Sequence, residues 1–339
     1  MSTNTMRKAT SGSGTALIFP IAYWAAVLGA LLFVFQLYLL IHWVTGPYFK
    51  TIPYGPSEPP DWMKLGMDIY QPVALLIVAY MFWRLLLRPW MRECRITFYG
   101  LMCPVLLLSS MYDPLCSYFH NWYNYNAYFL NFGSPLPAGF PGWQSFAEPG
   151  AGNTWPIILI PTIYVIAFLF FIWSGCLIMG ALRHRFPRMP AALMGCCFLA
   201  FCVIDIILEG NIFMRFGWYV ETGLSVNQGE YYQLPWRNIV FASMMWTVLS
   251  SLWFFRDDHG YTIAERGIER LQLKRGSLKE AAVRFFALLA VTQLILNVFY
   301  SLPMAVHAKY YPGHWPEVLS SKTYFTGHIC GFDTPRACP

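Results

Sequence analysis

Charge is scarce in this chain. Asp, Glu, Lys and Arg together make up 12% of its residues, about half the share of an ordinary soluble domain. No Walker A motif, dinucleotide-binding glycine pattern or H-E-x-x-H is present, so the usual signatures of nucleotide binding and zinc proteolysis are missing. Internal repeats, heptad seams and low-complexity blocks are missing too. No signal peptide is evident, because the first apolar run is too long for an h-region and no A-x-A-like site follows it. The net charge of +6 does not call for nucleic acid, since the side-to-side distribution of Lys and Arg accounts for it.

Apolar sequence is abundant instead. Hydrophobic residues make up 57% and mean hydropathy is +0.43. About 20 mostly apolar residues suffice to cross the hydrocarbon of a bilayer. Seven stretches qualify: 16–44, 69–88, 96–115, 156–182, 190–212, 236–255 and 282–303. The expected fold is an all-α integral membrane protein, a bundle of seven transmembrane helices. Residues 1–310 form the membrane domain, with an aromatic-rich outer connection at 111–155. Residues 311–339 form an extracytoplasmic tail.

Lys and Arg cluster on alternate connections. The N-terminal tail (Arg7, Lys8) and the second, fourth and sixth connections hold sixteen of the 23, while the stretch from Met111 to Trp155 holds none. The positive-inside rule then puts the N-terminus in the cytoplasm and the C-terminus outside. That orientation is opposite to rhodopsins and G-protein-coupled receptors, and the seventh stretch has no lysine for a Schiff base. The chain is expected to be a multi-pass protein of a bacterial plasma membrane. Its expected partners are the bilayer and a lipophilic small molecule, with no nucleic acid.

Against this background two acids stand out. Phe198–Phe213 reads FLAFCVIDIILEGNIF, and Asp205 and Glu209 interrupt it four residues apart, on one face of a regular helix. Ionisable residues inside a span cost about 2.5–3.5 kcal/mol and usually face a cavity or the bundle interior. At 1.5 Å of rise per residue, Asp205 lies about 24 Å from the inner boundary, Glu209 about 30 Å and Asp113 about 27 Å. Asn297 lies about 20 Å up, and Gln71 and Asp68 sit near the outer end of the second stretch. Polar groups from five stretches therefore converge on one outer layer. Asp68 and His42 also fit a simple interfacial role. Glu209 also fits a pairing with Arg215, and Asp113, followed by Pro114, a turn cap.

The connection 111–146 is rich in Tyr, Asn, Phe and Trp. It reads either as an ordered interfacial loop or as a lid over an acid-lined cavity. In the second reading Tyr112, His120, Trp122, Tyr125, Asn126 and Asn131 join Gln71 and Asn297 as substrate-binding candidates. Asp205, Glu209 and Asp113 are the catalytic candidates. A carboxyl in an apolar pocket can serve as general acid near neutral pH while a wetter one serves as base. Aromatic faces can shelter a developing cation. This chemistry needs no cofactor, and none is expected. A metal held by His42, His120 or His307 with these acids is the rival, without a diagnostic spacing. Cys94, Cys103, Cys176, Cys196, Cys197 and Cys202 read as structural. Cys330 and Cys338 fall in the outer tail, where either a disulfide or two free thiols fits.

Four stretches together resemble the AveC-like spirocyclase family, bacterial membrane proteins related to the avermectin pathway spirocyclase. They are Trp43–Pro60 (WVTGPYFKTIPYGPSEPP), Tyr112–Trp143 with its DP, YN, NFGS and GW elements, the Asp205-x-x-x-Glu209 span, and the tail CGFDTPRACP. The resemblance covers nearly the whole chain. It implies spiroketal formation or a related dehydration on a polyketide-like or terpenoid substrate. Two other function classes are open on the residues alone: a lipophilic-molecule binding protein or proton-coupled transporter, and a subunit of a metal-dependent membrane oxidase.

Overall fold

The computed structural model describes residues 20–144, 154–229, 232–257, 260–313, 315 and 317–326. Cys330 and Cys338, and the rest of the outer tail, lie outside the described residues. The chain is mostly helical. Its long helices are α1 (Ile21–Thr45), α2 (Asp61–Glu93), α3 (Phe98–Ser109), α4 (Leu159–Leu182), α5 (Pro190–Phe216), α6 (Trp236–Phe254) and α7 (Leu278–Tyr310).

Five of these, α1, α2, α4, α5 and α7, are long and apolar enough to cross a membrane. Their composition explains their exposure. Along α1, Trp24, Leu31, Val34 and Ile41 are all more than half exposed, and an apolar helix surface that is not covered by protein belongs in lipid. The other two helices sit in the middle. Helix α3 has twelve residues, a reach of about 18 Å. Eight of those twelve are buried. Helix α6 carries Arg237, Asn238, Ser243, Thr247 and Ser250, all buried. A helix wrapped in protein need not be apolar all round, so its polar residues find partners inside the bundle.

Close approach is built from small residues. A Cβ on Gly29 would lie 1.8 Å from the Phe286 carbonyl oxygen, and one on Gly175 would lie 2.2 Å from Ser250 Oγ. Glycine therefore lets α1 seat on α7 and α4 on α6. Two polar clamps join the helices. Gln293 Nε2 donates to Gln36 Oε1 at 3.1 Å, and Gln36 Nε2 donates to the Leu108 carbonyl at 2.8 Å. Near the other end of α7, Arg284 pairs with Glu265 at 2.6 Å and donates to the Ile96 carbonyl at 2.8 Å.

Three helices contain wide π segments: Phe82–Leu87 in α2, Ile206–Phe213 in α5 and Asn297–Ser301 in α7. Helix α3 ends in a 3₁₀ stretch, Ser110–Ser117, that carries Asp113. Pro114 follows Asp113 and disfavours a regular α turn before it.

Four short strands close one end of the bundle. Strand β1 (Tyr123–Tyr125) pairs antiparallel with β2 (Tyr219–Glu221), and β3 (Ser225–Gln228) pairs with β4 (Gln233–Pro235). In the first pair Tyr123 faces Glu221, Asn124 faces Val220 and Tyr125 faces Tyr219. Residues 323–326 dock beneath it: Asn124 Nδ2 donates to the Phe325 carbonyl, and Ala127 N donates to the Tyr324 carbonyl at 2.8 Å.

Candidate functional site

Alternation along β1 and β2 builds the site. Side chains point to opposite faces at successive strand positions. Tyr123, Tyr125, Tyr219 and Glu221 thus share one face, and all four line a cavity. The cavity holds about 910 Å³ of empty space with its mouth included. Helix α4 supplies a mostly apolar wall of Leu159, Ile160, Ile163, Tyr164, Ala167, Phe168 and Phe171, and α6 adds Ala242, Met245 and Trp246. Asp113, Trp122, Glu209, Asn238 and Tyr300 complete the polar end.

Three carboxyls, Asp113, Glu209 and Glu221, reach this space. Asp113 is caged by phenols. Its Oδ2 accepts from Tyr125 at 2.8 Å and from Tyr123 at 3.1 Å, and its Oδ1 accepts from Tyr164 at 3.0 Å. Three O–H donors suit a carboxylate, an acceptor-only group with two oxygens. Glu209 Oε1 accepts from Tyr219 at 2.8 Å and from Asn238 Nδ2 at 3.2 Å. The same Nδ2 donates to Glu221 Oε1 at 3.0 Å. Glu221 Oε2 is buried without a hydrogen-bond partner.

Burial first, and the Glu209 carboxyl second, push Glu221 well above the usual carboxylate range. Arg237 and the Asn238 amide act in the opposite direction. Glu221 is therefore a proton holder at pH values where an exposed glutamate has lost its proton.

Arg237 sits behind this end and is 1% exposed. Its guanidinium donates to the Thr222 carbonyl at 2.5 Å and to the Tyr311 carbonyl at 2.8 Å. It also lies 4.7 Å from the centre of the Trp122 ring, a cation–π contact that fixes the ring in the cavity wall.

Of the residues picked out from the sequence, Asp113, Glu209, Trp122 and Tyr125 line the cavity. Asp205 lies one turn below Glu209, fully buried, with its carboxyl against that of Glu209. The π segment starts immediately after Asp205, and the Asp205 and Glu209 carboxyls remain neighbours on one side of the helix. The other candidates are outside the lining. Tyr112 is buried in the core and His120 is exposed. Asn126 donates to the Gly217 carbonyl at 3.0 Å, and Asn131 donates to the Phe129 carbonyl at 3.1 Å. Gln71 Oε1 accepts from Leu130 N at 3.2 Å. Asn297 is half-buried on the π segment of α7. His307 packs edge-on to Trp236, 3.4 Å from Arg237 Nη1. Among the described residues no group of three or more His, Cys, Asp or Glu side chains has metal-holding geometry.

The sequence reading missed Glu221, Asn238, Tyr164, Tyr219 and Arg237. Two signals pointed to them. The tripeptides Tyr123-Asn124-Tyr125 and Tyr219-Val220-Glu221 share a period of two. Arg237 and Asn238 open an apolar run on the side that carries few other cations.

No curated protein and no solved structure matches the chain. The family model of AveC-like spirocyclases matches residues 93–325. That range is more than two thirds of the 339 residues and contains every residue that lines the cavity. By this match the chain belongs to the AveC-like spirocyclase family.

Proposed function

We propose that the protein is a membrane-embedded cyclase that forms a spiroketal, or carries out a related dehydration, on a lipophilic polyketide-like or terpenoid substrate. The observation that carries this reading is the placement of three carboxyls, Asp113, Glu209 and Glu221, at one end of an otherwise apolar, aromatic-walled cavity. Family membership supports a cyclase-type role.

In the proposed reaction a substrate hydroxyl adds to a ketone to give a hemiketal. Glu221 protonates the hemiketal hydroxyl, which leaves as water. A second substrate hydroxyl adds to the resulting oxocarbenium ion and passes its proton to Glu209. The sum is loss of one water, with no change of oxidation state, and passage of the proton from Glu209 back to Glu221 restores the starting state. Asp113 with its phenols supplies negative potential beside the cation, and the Trp122 and Tyr125 rings shield it from solvent. The proposed setting is a bacterial plasma membrane, with seven spans, the N-terminus in the cytoplasm and the cavity in the outer half.

The test is turnover of a dihydroxy-ketone macrolide precursor by the purified protein, followed by mass spectrometry and chiral chromatography. Glu209→Gln, Glu221→Gln and Asp113→Asn should each lower the rate about 10²-fold or more. A wild-type rate identical to buffer would sink the reaction for that substrate, and unaltered rates in all three variants would discard the site. A second reading, proton-coupled transport, is favoured by the fully buried Asp205, whose carboxyl adjoins that of Glu209. Proton-dependent uptake into proteoliposomes, lost in Asp205→Asn, would select it.

A further inference from the structure

The exposure of the cavity lining is uneven, and its pattern marks a way in. The end near the strands is closed: Trp122, Tyr123, Tyr125 and Glu221 are each less than a tenth exposed. The α6 wall is closed as well, with Ala242, Met245 and Trp246 buried. Partly exposed lining residues gather along one seam. Ile163 and Ala167 lie one turn apart on α4, and Leu208, Glu209 and Phe213 on the π segment of α5 line the same cavity. The remaining half-buried lining residues, Tyr219 and Tyr300, belong to the polar end.

The surroundings of this seam are apolar. Phe170 on α4 and Val203, Ile207 and Ile212 on α5 are 42–57% exposed. Both helices are among those long and apolar enough to span a membrane. Side chains of this type at this depth face acyl chains rather than water. The π segment adds a physical reason for the gap. Its wider turn carries one more residue than a regular turn and forms at functional positions in helices. Here it carries Leu208, Glu209 and Phe213, all of which line the cavity.

We propose that the cavity is entered sideways from the bilayer, through a portal between α4 and the π segment of α5, edged by Ile163, Ala167, Leu208 and Phe213. The ligand class follows: molecules dissolved in the membrane, carrying a polar end that reaches the carboxyls and an apolar body left along α4. This deepens the proposed cyclase reading by naming its route of supply, but its test needs no catalytic turnover.

A membrane-soluble carbodiimide, dicyclohexylcarbodiimide, adds to a protonated buried carboxyl and rearranges to a stable N-acylurea. A charged, water-soluble carbodiimide has the same reactive group. The full chain in liposomes should take up the membrane-soluble reagent on Glu209 or Glu221, located by peptide mass mapping, at least ten-fold faster than the charged one. Ala167→Trp and Ile163→Trp, each filling the seam, should slow that labelling ten-fold or more. Equal rates for the two reagents on the unaltered chain, or no reaction of either carboxyl with the membrane-soluble one, would overturn the portal. So would undiminished labelling of the two tryptophan variants. Labelling as expected with no cyclisation would retire the reaction and keep the portal. Cyclisation with equal labelling by both reagents would do the reverse.

Discussion

Glu209 and Glu221 share one donor. The side-chain nitrogen of Asn238 stands 3.2 Å from an oxygen of the first and 3.0 Å from an oxygen of the second. One amide thus holds together two acids from a helix and a strand. An amide has two N–H bonds to give and no charge to spend, so it positions the pair without neutralising it.

Replacement of Asn238 by leucine should therefore cost more than two hydrogen bonds. Glu221 would lose its donor while staying buried, at a cost of about 1–3 kcal/mol for an orphaned acceptor, and Glu209 would keep only Tyr219. The expected outcome is a lower melting temperature and at least a ten-fold loss of cyclisation rate. A variant with parental melting and parental rate would show that the bridge is incidental.

Glu221 gives the reaction a pH signature. Its folded value lies above the usual carboxylate range because of burial and the Glu209 carboxyl. As the proposed acid it must hold its proton, so the initial rate should fall as pH rises through that value. The folded chain also binds this proton more tightly than the unfolded chain. Its contribution to stability is then complete at acid pH and is lost as pH rises through the folded value. Melting temperature against pH should decline less steeply on the alkaline side for Glu221→Gln than for the parent. Superimposable profiles would remove Glu221 from the role of proton holder.

The phenol cage of Asp113 predicts an asymmetry between its members. Tyr164→Phe removes one donor from a carboxylate that keeps two, a loss of about 1 kcal/mol. Asp113→Ala strands two buried phenols at once, Tyr125 and Tyr164, each with a cost of about 1–3 kcal/mol, while Tyr123 keeps the main-chain carbonyl of residue 113 at 3.0 Å. Chemical denaturation in detergent should separate the two by several-fold in free energy. Equal losses would mean that the phenols find other acceptors.

Away from the cavity, Arg284 and Glu265 form a buried ion pair at 2.6 Å. Arg284→Met should destabilise the fold by about 3–5 kcal/mol, because it leaves an uncompensated charge. A double variant with Glu265→Leu should recover part of that loss. If the double variant is worse than the single one, the bonds from Glu265 to Thr262 carry more weight than the ion pair.

Much of the helical frame was legible in the residues. The run 190–212 and the helix Pro190–Phe216 nearly coincide, as do 236–255 and Trp236–Phe254. Periodic apolarity reports such helices directly. The difference between a helix in lipid and one wrapped in protein was less visible. Helix α6 reads like a span by length, while its partners for Arg237, Asn238 and Ser250 come from distant parts of the chain. In the site, Asp113 and Glu209 were found by depth, but Glu221 was not. It lies on a three-residue strand whose partner is almost a hundred positions away, and no local pattern reports such a pairing. Asp205 was legible as a buried acid beside Glu209; that it stands behind the cavity lining depends on how the helices pack, which no local pattern reports.

The docking of residues 323–325 has a consequence for biosynthesis. Strand β1 rests on the carbonyls of Tyr324 and Phe325, and the Thr323 hydroxyl accepts from Ser57 N at 2.9 Å. These three residues follow every helix that lines the cavity in chain order. A nascent chain can form every one of those helices and still lack a finished roof until residues 323–325 leave the ribosome. Completion of the chamber thus trails the helices that wall it, and fragments stopped just short of residue 323 would be helical with an open chamber.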